Sequence, residues 1–330
     1  MQTLYVSDNG VLLKKKSNRI LLKKDNKILE EIPILDLKRV IIFGSNQVST
    51  QLLQYFATKG IDVAFLSSSG RFKFRLIPET SKNIFLRMAQ HDHYRNKSFR
   101  IQFSQSVIEA KIRNQRSLLV RYQRNRPEVD LKRYLEILKK CSHQVRQKQE
   151  FDEIMGVEGY AGKTYFEAYG KLLLGGYIFH KRAYHPPPDP INALLSFGYM
   201  LLFNEIESLL EGTGFDVFLG FLHSTHYGRA SLATDLIEEL RSPLIDRLVL
   251  YLINTSSISL KQFSPNEKGV FMDSSARKTF LSNYEKFMTT DFLNVQNKNR
   301  TNYRQIIRDQ VIGLEKTLLQ NVDYKCYLYY

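Results

Sequence analysis

The chain has 330 residues, 43% hydrophobic and 25% charged, enough to bury a sizeable core and outside the composition of disordered chains. Its formal net charge of +15 exceeds what solubility needs and argues for a polyanionic partner. Two cysteines, Cys141 and Cys326, exclude a disulfide framework or a cysteine zinc site, and neither MQTLYVSDNG nor the longest apolar runs supply a leader or the ~18 apolar residues of a membrane span, so a cytoplasmic protein with no membrane partner is expected.

Residues 1–82 carry 14 Lys and Arg against 7 Asp and Glu. In TLYVS, VLLKK, RILLKK and KRVIIFG, short runs rich in branched residues are separated by DNG, KSN and KDN turns, which predicts strands. QVSTQLLQYFATKG carries apolar residues at helical spacing and stops at Gly60. IDVAFLSSSGRFKFRLI returns to strand with a turn at Ser69-Gly70.

Residues 83–150 carry 16 basic against 6 acidic residues, and residues 151–330 carry 18 against 20. A basic front and middle leading to a slightly acidic back half suits nucleic acid gripped by one part and chemistry done by carboxylates in another. From Asn83 to Asn125 there is no proline or glycine, and the periodicity then predicts helices over 129–149, 160–181, 190–211, 231–253, 274–289 and 301–321. The fold class expected is α+β, with a small β-rich domain at 1–80 and a larger all-helical catalytic domain at 84–330.

Three stretches hold candidate chemistry. Glu158 lies among Gly156, Gly159, Ala161 and Gly162 at the start of a helical pattern, where small neighbours permit close approach of another backbone. His223 sits in the apolar run FLGFLH. On the helix that follows, Leu232, Leu236 and Leu240 form a stripe; Asp235 and Glu238 project away from it and Glu239 lies nearer its edge. Two carboxylates and an imidazole suit Mg²⁺ or Mn²⁺, whereas zinc is disfavoured without a cysteine pair or a second well-placed histidine. His226, three residues on, is a candidate phosphate contact. Arg113, Arg116, Arg121 and Arg124 share one arc of a helical wheel beside Arg95 and Arg100, a pattern that grips phosphates without reading sequence. Tyr165 shares the helix face of Glu158 and is a candidate either for the core or for stacking on a splayed base.

IMGVEGYAGKTYF (154–166), DPINALLSFGYMLL (189–202), GFLH (220–223) and SLATDLIEELR (231–241) resemble, in order and spacing, the CRISPR-associated integrase/endonuclease family, the Cas1 subunit of the spacer-acquisition complex. LIDRLVLYLIN, ARKTFLSNYE, IIRDQVIGLEKTLL and, near the front, GIDVAFLSSSGRFKFRL extend the likeness over nearly the whole chain. Gly162 departs from the family, which more often has alanine there.

The resemblance implies a homodimer, and since a β domain of this size has little core of its own and edge strands to cover, the joint is expected mainly through residues 1–80. It implies a Mg²⁺- or Mn²⁺-dependent endonuclease and integrase acting on double-stranded DNA, both spacer precursor and CRISPR array, and a second subunit, Cas2, bridging two dimers. Carried over, its metal ligands and catalytic residues are Glu158, His223 and Glu238, with Asp235 supporting them from outside the ligand set. The alternatives are a structure-selective nuclease of branched DNA and a non-catalytic nucleic-acid scaffold.

Overall fold

The computed structural model describes residues 3–76, 83–183, 186–223, 227–267, 269–296 and 298–330. The first part contains β1 (Thr3–Val6), β2 (Leu12–Lys16), β3 (Arg19–Lys24), β4 (Lys27–Pro33), β5 (Arg39–Phe43), β6 (Gln47–Val48), α1 (Thr50–Thr58), β7 (Asp62–Leu66) and β8 (Phe72–Leu76). They form two four-stranded sheets, ordered β1-β5-β7-β8 and β4-β3-β2-β6. Asp25 and Asn26 both adopt positive φ, the turn that matches the twist of a tight hairpin, and they join β3 to β4. Strand β4 was not expected. Its residues KILEEIP are mostly exposed, so this edge strand lacks the alternation that marks a half-buried one.

Leu13, Ile20, Val40, Leu52, Phe56 and Val63 are among the buried residues of a core that belongs to this part alone. A buried ion network joins it to the rest. Arg39 reaches Asp62 and Glu205 at 2.7 Å each, Arg304 reaches Glu205 at 2.8 Å, and Arg75 of β8 pairs with Glu207 and, at 2.9 Å, with Glu211. Buried charges are tolerated only when paired in this way. The expected boundary at 78–84 falls largely on residues outside the described ones.

The remainder is mostly helical: α2 (Ile84–Arg95), α3 (Lys97–Asn125), α4 (Lys132–Val145), α5 (Phe151–Gly170), α6 (Pro190–Thr213), α7 (Ser231–Ile237) and α8 (Arg247–Asn254). A hairpin of β9 (Phe263–Asn266) and β10 (Gly269–Met272) follows, then α9 (Ser274–Thr289), a two-residue pair β11 (Phe292–Leu293) and β12 (Arg300–Thr301), and α10 (Tyr303–Gln320). Side-chain oxygens of Asn83, Asn96 and Asp189 accept the N–H groups of Leu86, Phe99 and Asn192, capping α2, α3 and α6.

Several expectations are corrected. Helix α5 starts at Phe151 and runs through Gly156 and Gly159, which places Glu158 in mid-helix; it ends at Gly170, and Gly175 and Gly176 follow at positive φ. The helix expected over 231–253 is broken by a π-helical turn, Arg241–Asp246, that contains Pro243. A proline has no N–H for the regular ladder, which accounts for the wider turn. The hairpin β9–β10 interrupts a part read as all-helical. Helix α6 is long and apolar enough to cross a membrane, contrary to the expectation from the apolar runs, but 61% of its apolar window is buried inside the protein, as in a core helix.

Candidate active site

Four elements meet around one cluster: α3 brings Lys111, α5 brings Glu158, the chain after α6 brings His223, and α7 with the turn after it brings Asp235, Glu238 and Arg241. Asp235 organises the segment. Fully buried, it accepts the backbone N–H groups of Phe221 (2.6 Å), Leu222 (3.0 Å) and His223 (3.0 Å), and it meets His223 Nδ1 at 2.7 Å. A carboxylate facing Nδ1 keeps the proton on that nitrogen and leaves the Nε2 lone pair for a ligand. Gly220 makes the clamp possible, because a Cβ there would stand 2.7 Å from Asp235 Oδ2 and 2.8 Å from the Ser231 backbone.

His223 Nε2 faces Glu238 Oε1 at 4.0 Å. Glu238 is 3% exposed although it lines a groove, so it does not lie on a solvated helix face. The wheel assumed a helix with one wet face, whereas nearly every residue from Ser231 to Leu240 is buried. Arg241 Nη2 lies 3.2 Å from Glu238 Oε1, and Lys111 Nζ lies 2.7 Å from Oε2 as an ion pair without hydrogen-bond geometry, so Oε2 has no hydrogen-bond donor. The same ammonium donates to Glu158 Oε1. Burial opposes ionisation of Glu238, but Arg241 and then Lys111 outweigh it and hold the carboxyl down to about 2. Burial likewise opposes the charge on Lys111, and Glu238 and Glu158 outweigh that, raising its pKa.

Behind Arg241 lies a second buried acid. Asp246 accepts the hydroxyls of Tyr165 (2.7 Å) and Tyr199, and the Arg241 and Arg182 guanidinium groups lie 5.1 Å and 5.3 Å from the Tyr199 ring centroid. Burial pushes Asp246 up to about 6, against the two tyrosine hydroxyls. Tyr165 therefore belongs to the core. With no exposed face, it offers no platform for a base. Glu239 takes no part in the cluster and, among the described residues, pairs with no basic neighbour. It accepts the Tyr324 hydroxyl at 2.6 Å and the Tyr327 N–H, pinning the last residues of the chain, and burial pushes it up to about 7.

A groove of about 1820 Å³ opens over Glu158, His223 and Glu238. Arg71 and Lys73 at the β7–β8 hairpin form one part of its lining; Arg182, Arg229, Arg241 and Arg277 add further positive charge. None of Arg95, Arg100, Arg113, Arg116, Arg121 and Arg124 lines it. At 3.6 residues per turn, Arg113, Arg116 and Arg124 lie about 140–220° round α3 from Lys111, on the far side from the groove. Arg113 pairs with Glu109 at 3.3 Å, Arg116 donates to the Leu135 carbonyl, Arg121 donates to the Tyr329 hydroxyl, and Arg95 and Arg124 are exposed. Arg100 lies over the Tyr94 and Phe151 rings and donates to the Phe221 carbonyl at 3.2 Å, bracing the segment that carries His223. His226 lies outside the described residues.

Among the described residues, no three His, Cys, Asp or Glu stand close enough together to hold a metal ion as they are placed. The cluster nevertheless fits a hard divalent cation. A positive group, the Lys111 ammonium, already lies between two carboxylates, and an imidazole nitrogen faces one of them. Sequence reasoning missed Lys111, Arg241 and Asp246. Their signal was a charge inside an apolar pattern: Lys111 shares the buried stripe of Val107, Ile108, Gln115 and Leu118, and Asp246 interrupts LIDRLVLYLI.

Residues 4–286 match the family described as CRISPR associated protein Cas1. The CRISPR-associated endonuclease Cas1 1 of Chlorobaculum tepidum is 35% identical over 294 residues, covering 87% of this chain and 86% of that protein. The solved Cas1 protein of Thermotoga maritima superposes with a TM-score of 0.82 at 26% identity, over 97% of each chain. A casposase bound to integration product shares the fold, with a TM-score of 0.87 at 21% identity over 100% of this chain and 95% of that one.

Proposed function

We propose that this chain, which belongs to the CRISPR-associated Cas1 family, is a divalent-cation-dependent DNA integrase in which Glu158, His223 and Glu238 hold Mg²⁺ or Mn²⁺. The observation that carries this reading is the meeting of those three side chains around a buried positive charge at the floor of a basic groove. In the reaction, a 3′-hydroxyl of incoming spacer DNA attacks a phosphodiester of the CRISPR array. One phosphodiester replaces another, so no nucleotide cofactor drives it. A bound Mg²⁺ or Mn²⁺ supplies charge stabilisation at the attacked phosphate and a lowered pKa for the attacking hydroxyl.

The chain's own residues do the rest. Asp235 fixes the ring of His223 so that Nε2 faces the site. Arg241 keeps Glu238 ionised despite its burial. Arg71, Lys73, Arg229 and Arg277 neutralise the backbone of DNA lying in the groove. No serine, tyrosine or cysteine is required as a nucleophile, since the attacking group belongs to the DNA. The test is a strand-transfer assay with labelled donor DNA and a supercoiled target. With Mn²⁺ or Mg²⁺ the label joins the target, and EDTA stops it. Nicking without joining favours the structure-selective nuclease, and binding with neither outcome favours the scaffold.

Lys111 occupies the place of the cation's charge and has to move aside when the cation binds. Lys111→Met is therefore expected to tighten Mn²⁺ binding at least tenfold by isothermal titration calorimetry. Unchanged or weaker binding contradicts this role.

The assembly proposed is a homodimer joined through residues 1–80, with Cas2 bridging two dimers. Buried residues give this part a core of its own, so the dimer is not needed to complete it. What supports the dimer is the exposed apolar surface on and after edge strand β4: Ile28, Leu29 and Leu35, the last 93% exposed. Light scattering at micromolar concentration is expected to give twice the chain mass, and a larger species when Cas2 is added. A monomer that ignores Cas2 contradicts the proposal.

A further inference from the structure

A second cavity, of about 490 Å³, lies apart from the basic groove and shares no lining residue with it. Arg121 of α3, Arg247 and Tyr251 of α8, Lys286 and Phe287 of α9, and the segment Tyr327–Tyr330 line it, and no Asp or Glu does. The Arg247 guanidinium is surrounded by rings, 4.8 Å from the Phe287 centroid, 5.4 Å from Tyr303 and 5.6 Å from Tyr329. Its Nε is buried with no hydrogen-bond partner. Arg121 donates to the Tyr329 hydroxyl at 2.9 Å and lies 5.8 Å from that ring.

Three cations that pair with no carboxylate among the described residues call for an anion, and a buried N–H on one of them with no hydrogen-bond partner calls for an acceptor. Aromatic walls do nothing for a bare anion, but they stack on a flat heterocycle. The volume is that of a small-molecule site. We propose that this cavity binds a nucleoside monophosphate unit, with the phosphate held by Arg121, Arg247 and Lys286 and the base held against the accessible rings of Tyr251, Phe287 and Tyr330. That chemistry is shared by a free mononucleotide and by the terminal nucleotide of a DNA strand. The site stands whether or not the basic groove transfers strands, because none of Glu158, His223 and Glu238 lines it.

The test is isothermal titration with deoxyadenosine monophosphate in EDTA, which silences any cation held in the groove. Saturable binding is expected, with inorganic phosphate and deoxyadenosine each at least tenfold weaker. Arg121 and Lys286 are exposed side chains, so the double variant Arg121→Met/Lys286→Met keeps the fold and is expected to weaken binding at least tenfold. Arg247→Lys, which keeps the charge but loses the planar fork, is expected to weaken it as well. A single-stranded oligonucleotide that displaces the mononucleotide assigns the site to a strand end, and one that leaves it bound assigns it to a free nucleotide; either supports the shared chemistry. No saturable binding, binding as tight for phosphate alone, or binding untouched by the double variant overturns it.

Discussion

Glu238→Gln is expected to reduce strand transfer by roughly 100-fold or more, beyond the ~10- to 100-fold typical of groups that only orient a metal ligand, while DNA binding changes little. Glutamine keeps the shape of the side chain and removes its charge. That charge is what a cation in the site requires, and the groove residues that face DNA are untouched. Alanine is a poorer probe. Both substitutions leave Lys111 and Arg241 without their buried anionic partner, but alanine also leaves a cavity where the side chain stood. Transfer and binding assays, with a thermal melt to confirm the fold, check this. The same loss is expected for Glu158→Gln and His223→Ala, and transfer at wild-type rate by Glu238→Gln removes Glu238 from the ligand set.

Asp235→Ala is expected to act on stability as strongly as on activity. A residue that merely steadies a ligand loses activity in part and leaves the fold alone, which is how its place in the sequence reads. Its structural position is more demanding, because one carboxylate satisfies three backbone N–H groups and the His223 ring. Each buried donor left without an acceptor costs about 1–3 kcal/mol, so the total is several kcal/mol out of the ~5–15 kcal/mol that holds a domain folded. A large fall in melting temperature, together with loss of transfer, is the expected result. Asp235→Asn is expected to fall between, since its amide places a donor against two of the four hydrogen bonds. A wild-type melting temperature for Asp235→Ala shows that the backbone clamp is not structural.

The unequal legibility of the site in the sequence has physical causes. His223 was visible because a histidine in FLGFLH breaks an apolar run, and Glu158 because a carboxylate stood among small residues. The roles of Asp235 and Glu238 were harder to separate, because a helical wheel describes a surface helix, and α7 with its following turn is enclosed on nearly every side. Lys111 was hidden among the 16 basic residues of 83–150; only its place in a buried stripe sets it apart from Arg113 and Arg116. Those arginines showed the reverse problem, since a basic arc on a wheel does not reveal which side of α3 meets the groove. In the first part of the chain, β2, β3, β5, β7 and β8 could be read from branched residues and turns. The exposed edge strand β4 could not, and neither could the short hairpin β9–β10, whose residues FSPN and GVFM are no more than half-buried.

In the proposed function, Glu158, His223 and Glu238 form one cation site that the Lys111 ammonium fills by charge until a metal takes its place. Anomalous diffraction from crystals soaked in Mn²⁺ tests it most directly. The expected result is one Mn²⁺ peak within ~2.0–2.3 Å of a carboxylate oxygen of Glu158, a carboxylate oxygen of Glu238 and His223 Nε2, with the Lys111 ammonium withdrawn from between the acids. A peak elsewhere, or no peak at a Mn²⁺ concentration that supports strand transfer, contradicts it.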